Sequence, residues 1–408
     1  MASSQALRVG VYLAFLQFFF ALCWTLYVIF LPALAAQVGI RPQTVILILM
    51  LDQAIFSVMD WLMGRMADRV WRIVGRLSLI VALTTTVSCI AFLLLPFAAP
   101  TGSEALFIAL TLIWSASSSV LRAPPLALLG KYAAQSTVPW LTSLSLFGLG
   151  VAGAVSPYLT VALRALDPRI PFALASFALL IVTLGLGWAE RSLAGAPPPA
   201  VAAPIPSTQP RAPLGIFLSA IALLGLGFQI HLSLNAAPMF LKFAKPVELE
   251  HLMPIFWIGF NLLMLPGTML TSRYGGLKVM AAGGVVAAIA AFAVVQATSV
   301  TALSVAQFVA GGAWGIVMMS AVTAALVIGQ NARRGGREGG ITGAIFSLFA
   351  LAALARMMIV WTELNKSPGF ASIQLWLPGA AWLLAAVALL FVARKKLAST
   401  TSATATAT

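Results

Sequence analysis

"DWLMGRMADRVWRIVGR", residues 60–76, decides how this chain folds. It sets two acids and four arginines between two long apolar runs, in a 408-residue sequence that is only 8% charged and 61% hydrophobic. Mean hydropathy is +1.01. Water-soluble domains run nearer ~45–50% apolar and ~25% charged, so this chain cannot be a soluble globule. The charged stretch reads as a place where the chain leaves a bilayer and turns back. A hydrocarbon core ~30 Å thick needs about 20 apolar residues per helical crossing, and in lipid only helices or closed barrels satisfy their own backbone. Barrel strands show alternating segments of ~10 residues, and the apolar runs here are far longer. The expectation is an all-α membrane protein.

Working outward, spans fall near 10–36, 44–66, 74–99, 104–129, 139–164 and 170–189, then near 214–241, 251–272, 277–298, 301–330, 340–363 and 371–393. The fold class is therefore twelve transmembrane helices in two six-helix bundles. Residues 1–189 form the first bundle and 214–393 the second. Between them, "ERSLAGAPPPAVAAPIPSTQPRAP" (190–213) carries seven prolines and reads as a semi-rigid linker, because proline lacks the helix donor and clashes with the preceding turn. The tail, 394–408, ends in low-complexity "ASTTSATATAT" and is expected to be disordered. The N-terminal apolar run is too long for a signal-peptide core and is read as a retained span. Cys23 and Cys89 lie inside apolar runs and suggest neither a disulfide nor a metal site.

Lysine and arginine are retained on the cytoplasmic side of short loops. With the N-terminus inside, the inner set is Arg8, Arg65, Arg69, Arg72, Arg76, Arg122, Lys131, Arg191, Arg211, Arg273, Lys278, Arg333, Arg334, Arg337, Arg394, Lys395 and Lys396, seventeen of the 24. Arg41, Arg164, Arg169, Lys242, Lys245 and Lys366 fall outside, and Arg356 falls within the eleventh span. Both termini are expected to be cytoplasmic, in a cell inner (plasma) membrane. The dispersed charge offers no recognition helix or aromatic platform, so the net charge of +14 does not point to nucleic acid.

The pattern of Gly64, Asp68, Arg69, Gly75 and Arg76 resembles the signature loop of the major facilitator superfamily, whose members are built from two six-helix bundles. Glycine permits close helix approach, an acid suits the positive end of a neighbouring helix, and the arginines anchor the loop at the surface. Anchoring alone would explain the arginines but not Asp68 or Gly64. A weaker copy, "LPGTMLTSRYGGLK" (265–278), keeps Gly267, Arg273 and Lys278 with serine in place of the acid. The resemblance implies that Asp68 faces the start of the eleventh span, where Gly339 and Gly340 would let it reach free backbone donors. A narrower resemblance is to the glycoside-pentoside-hexuronide cation symporters and sucrose carriers. It rests on "LQFFFALCWTLYVIFLPALAAQVGI" (16–40), "DWLMGRMADR" (60–69) and "RAPPLALLGKY" (122–132). Leu126 stands where that group has arginine, and Lys131 where it has an acid.

Polar residues within spans are costly in lipid and usually face a cavity or a partner. Asp52 and Arg356 lie roughly 12 and 10 Å below the outer ends of spans two and eleven at ~1.5 Å per residue. They could form an inter-bundle latch; alternatively Arg356 snorkels and Asp52 bonds local hydroxyls. Asp60 is a candidate proton or sodium site, or else an inner-end acid paired with Arg65 or Arg122. Arg122 shares a helical sector with Ser118 and Trp114, giving either a substrate wall or a packed interface. The resemblance implies that spans one, four, seven and ten line a central cavity. Gln17, Trp24, Gln229, His231, Asn235, Gln307 and Trp314 are the further substrate-binding candidates, and Phe20, Tyr27, Gly311 and Thr323 lie on the same spans. His231 could also couple to protons, or could be a hydrogen-bonded structural residue. The gating set is Asp52, Arg356, Gly64, Asp68 and Arg69.

With two histidines, no nucleophile elbow and no phosphate-cradling loop, the sequence carries no catalytic constellation and calls for no cofactor or metal. The expectation is a monomeric secondary active transporter whose partners are the lipid bilayer, a small polar organic solute and a coupling proton or sodium ion. The alternatives are a proton-coupled multidrug or metabolite efflux antiporter, suggested by the glycine rhythm of "FGLGVAGAVSP" (147–157), and a membrane-embedded receptor or lipid-modifying enzyme.

Overall fold

The computed structural model describes residues 4–70, 74–195, 214–330 and 336–405, with side chains up to 391. Arg72, Arg211, Arg333 and Arg334, most of the proline-rich linker and the last three residues of the tail lie outside the described residues. Among the described residues, eleven helices are each long and apolar enough to cross a membrane alone. They are α1 (Ser4–Gln37), α2 (Pro42–Val70), α3 (Arg76–Thr101), α4 (Glu104–Tyr132), α5 (Val138–Ala162), α6 (Arg169–Ala194), α7 (Leu214–Phe240), α8 (Pro246–Tyr274), α9 (Gly276–Gln296), α10 (Val300–Gln330) and α11 (Glu338–Trp361). The twelfth crossing, α12, is a pair, Pro368–Gln374 and Leu377–Phe391, bent by 56°. Twelve crossings bring both chain ends to one side, here called the termini face.

Two boundaries differ from expectation. α6 runs on to Ala194, into residues assigned to the linker, because Glu190 is fully buried and its Oε2 accepts the Ser78 N–H at 3.1 Å. That carboxylate satisfies an orphan donor in the first turn of α3, where negative charge is favourable. Helix also continues past the apolar part of α12 to Ala405, through residues expected to be a disordered tail. No glycine or proline follows Gly379, and alanine is the strongest helix former.

The apolar side chains gather into two main cores. One is drawn from Val9 to Leu193 with Val322 and Leu326 of α10 added; the other runs from Phe217 to Leu389 with Leu146 of α5 added. α5 and α10 therefore tie the two bundles together. Much of the remaining apolar surface faces outward, as in Leu174, Ile181, Ile289 and Leu384, each more than 60% exposed. In a membrane protein that is the lipid-facing girdle.

The closest approach between bundles is α2 against α11. A Cβ on Gly64 would stand 2.1 Å from the Gly339 carbonyl oxygen, and one on Gly343 would stand 2.4 Å from the Asp60 carbonyl oxygen. Asp60, Gly64 and Asp68 follow at four-residue steps, so all three lie along one stripe of α2. Only glycine lets backbone meet backbone here, the small-residue packing that holds helices together without a hydrophobic drive.

Gly64→Ala is expected to separate the two helices, cost about 1–3 kcal/mol as overpacking does elsewhere, and lower the melting temperature of the purified protein. Gly215→Ala, where a Cβ would meet nothing within 4 Å, should leave it unchanged.

Candidate functional site

Proline shapes the first half of the site. Pro124 and Pro125 remove two amide donors from α4, so the helix tightens to a 3-10 turn at Ser119–Leu121 and Arg122 takes ψ −74°. The Gln17 side-chain amide of α1 fills part of the deficit by donating to the Leu121 carbonyl at 2.9 Å. Gln17 is thus a brace for the broken helix and is itself buried. Beyond the break, Arg122 Nη1 reaches Asp60 Oδ2 at 2.9 Å, with side chains 18% and 0% exposed respectively. The guanidinium also lies 3.9 Å over the Phe56 ring and 5.7 Å from Phe20. Asp60 has Arg122 as its partner, and Arg65 instead lies 4.9 Å over Trp61.

Trp114 and Ser118 share the regular helix Glu104–Ser118, and the 3-10 turn separates Arg122 from them. Of the two readings of this sector, the geometry is that of a packed interface: Trp114 is in the bundle core, 3% exposed, against Trp24, Tyr27 and Phe92 at 5.9, 4.4 and 5.4 Å. Ser118 is buried and donates to the Ser115 carbonyl. Next to this aromatic cluster lies Asp52, whose Oδ1 accepts from the Ser115 hydroxyl at 2.5 Å and Oδ2 from the Tyr27 hydroxyl at 2.8 Å. The Asp52 to Arg356 ion pair is therefore not formed. Both carboxylate oxygens are engaged within the first bundle, and among the described residues Arg356 makes no ion pair.

In the second bundle, Pro238 deprives the Leu234 carbonyl of its helical donor, and Ile230–Asn235 widens into a π-turn with Ala236 N–H reaching the His231 carbonyl. That turn aims His231 at Gln307, whose Oε1 lies 3.0 Å from Nε2, between the Phe256 and Trp382 rings. Asn235 and Gln374 exchange hydrogen bonds of 2.9 and 3.2 Å, which tie α7 to the bend in α12. Trp314 stacks on Phe228 at 4.5 Å and on Trp382 at 6.2 Å. His231, Asn235, Gln307 and Trp314 are all buried, so they serve this half's internal packing and do not line open space. Of the substrate-binding candidates, Trp24, Arg122 and Gln229 keep part of their surface exposed.

At the termini face, Asp68 Oδ1 accepts from the Gly339 N–H at 2.7 Å and Oδ2 from the Gly340 N–H at 2.8 Å. A carboxylate thus caps the start of α11 from the other bundle. Gln330 of α10 adds a second link, donating to the Gly130 carbonyl and accepting from Gln135 at 3.2 Å. Arg69 is exposed at the end of α2. At the opposite face the bundles meet through His251 and the Tyr158 hydroxyl, 3.4 Å apart, and a cavity of about 430 Å3 opens between α1, α2 and α11. Trp24 and Arg356 are on its wall.

Ser115, Phe56 and Gln374 were not among the residues singled out from sequence. Ser115 opens a run of serines, 115–119 with only Ala116 interrupting, and that run together with Pro124-Pro125 was the available signal for an irregular polar α4. Removing one partner of a buried ion pair leaves an uncompensated charge and costs about 3–5 kcal/mol. Arg122→Met should therefore destabilise strongly against denaturant in detergent. The double variant Asp60→Leu, Arg122→Met should recover most of that loss.

The chain matches the family model described as Major Facilitator Superfamily over residues 13–353. Among curated protein sequences, none matches. The fold is similar to that of the E. coli fucose:proton symporter, with TM-score 0.69, 12% identity, and 96% of this chain and 99% of that one covered. It is similar to the human organic anion transporter MFSD10, with TM-score 0.70, 15% identity, and 95% and 100% covered. A bacterial homologue of the iron transporter ferroportin gives TM-score 0.68 at 14% identity, with 94% and 99% covered. Neighbours with such different printed substrates give no specific support to the narrower resemblance to sucrose carriers. Its twelve-crossing architecture and the family match over most of its length make this chain a member of the major facilitator superfamily, a multi-pass membrane protein and a secondary transporter, not an enzyme.

Proposed function

We propose that the protein moves a small polar organic solute across the membrane by alternating access, coupled to a proton or sodium gradient. The observation that carries this reading is the Asp60 to Arg122 pair, a fully enclosed acid against a part-exposed cation within the membrane. An intramembrane ion pair is costly and marks function by default. A cation arriving at Asp60 neutralises the carboxylate and frees Arg122, changing how α2 sits against α4. The same residue's carbonyl oxygen is where Gly343 of α11 makes its closest approach. Loading the site therefore acts on the contact that closes the termini face.

The excess of Lys and Arg in loops on the termini side supports cytoplasmic termini in a cell inner membrane, and the two cores, tied to each other within the chain by α5 and α10, are compatible with a monomer. The glycines of α5 do not favour the efflux reading. Gly148 lies against the Ala14 carbonyl and Gly150 against Asn261, roles in helix crossing that either direction of transport needs.

In proteoliposomes carrying an imposed pH or sodium gradient, wild type should accumulate a solute against its own gradient under one of the two. Asp60→Asn should still exchange labelled for unlabelled solute but lose gradient-driven accumulation. Undiminished accumulation by Asp60→Asn would contradict the assignment.

A further inference from the structure

Arg122 and Arg356 are both part-exposed inside the membrane, and among the described residues Arg122 is neutralised by Asp60 while Arg356 makes no ion pair. The Arg356 Nε is buried without a hydrogen-bond partner, while the side chain as a whole stays part-exposed on the wall of the 430 Å3 cavity. The acids that could have paired with it are engaged elsewhere. Asp52 is held by Tyr27 and Ser115, and Glu363, at the end of α11, pairs with Lys366 at 2.7 Å. An unpaired guanidinium in a low-dielectric cleft carries a large electrostatic demand for an anion. The rest of the wall is apolar: Trp24 and Val28 of α1, Ile46 and Leu49 of α2, and Met357 beside the arginine. Pro42 also lines the cavity, and the exposed Arg41 directly precedes it in the chain, adding a second positive charge nearby. The size suits a small molecule, since ligand pockets run ~300–1,000 Å3.

We propose that the solute is a small organic monocarboxylate with an apolar or aromatic body, its carboxylate held by Arg356 and its body against Trp24. A planar guanidinium offers a two-point match to a carboxylate that a neutral group cannot reproduce. The inference rests on the transporter reading and narrows it to one chemical class. It also assigns Arg356 a role in binding in place of the expected latch.

The test uses purified full-length protein in phosphatidylcholine nanodiscs and acid/amide pairs of matched shape: indole-3-acetate with indole-3-acetamide, 3-phenylpropionate with its amide, and hexanoate with hexanamide. At least one acid should raise the melting temperature and exchange in proteoliposomes, with its amide binding at least tenfold more weakly. Arg356→Gln should bring the acid down to the amide's affinity, and Arg356→Lys should keep part of the difference. Equal binding of acid and amide, no binding of any acid, or unchanged acid binding in Arg356→Gln would overturn the proposal. Arg356-dependent stabilisation by phosphatidylglycerol nanodiscs without any by the acids would place a lipid phosphate there and overturn it too. Accumulation of a neutral solute while every acid fails would sink this inference and leave the transporter reading standing. Absence of exchange for acids and for neutral solutes alike would count against the transporter reading itself.

Discussion

Everything in this molecule depends on how closely α2 can approach α11. Two helices in lipid gain no hydrophobic drive from burying apolar side chains against each other, because lipid tails are just as apolar, so the α2 to α11 contact rests on close backbone packing and polar bonds. Gly64, Gly339 and Gly343 supply the first, and Asp68, accepting two amide hydrogens from the start of α11, supplies the second. Charge-assisted bonds of this kind contribute about 1.5–3 kcal/mol each. That is enough to hold one face shut and small enough to be released within a transport cycle. Asp60, on the same stripe, puts a buried charge at the far end of the contact.

The remaining polar chemistry follows from proline. Pro124-Pro125 breaks α4 and Pro238 widens α7, and each break exposes backbone carbonyls that neighbouring side chains or looser turns must satisfy. Gln17 braces one break, and the other turns His231 and Asn235 toward Gln307 and Gln374. The two halves use these breaks differently. In the first, the break presents Arg122 to Asp60 beside open space; in the second, the polar groups close on one another and become core.

The fold was legible because hydrophobic length is a strong signal. All twelve crossings fall within a few residues of where the apolar runs place them, and Asp68 meets its predicted partners Gly339 and Gly340, with Gly64 packed against the Gly339 carbonyl. The site was legible only in part. Regular helical periodicity does not carry across the proline breaks, so Arg122, past the 3-10 turn, and Asn235, in the π-turn, take directions that a four-residue step does not give, whereas Trp114 lies on the regular helix before the break and is buried by its own aromatic neighbours. Asp52 and Arg356 have matching depths, but depth says nothing of azimuth, and Tyr27 and Ser115 lay nearer. A long-range pairing of this kind depends on side-chain competition that no periodicity encodes.

We propose that the α2 to α11 contact is the closure of the termini face, held by Asp68 and released in transport. Spin labels at the exposed Arg76 and Arg337 report it directly, since these positions flank the contact on the two bundles. Wild type should give one narrow distance distribution, and Asp68→Asn should add a distinctly longer population. A distribution that stays narrow and unshifted in Asp68→Asn, and also under an imposed pH or sodium gradient with transported solute, would show that Asp68 does not hold the termini face shut.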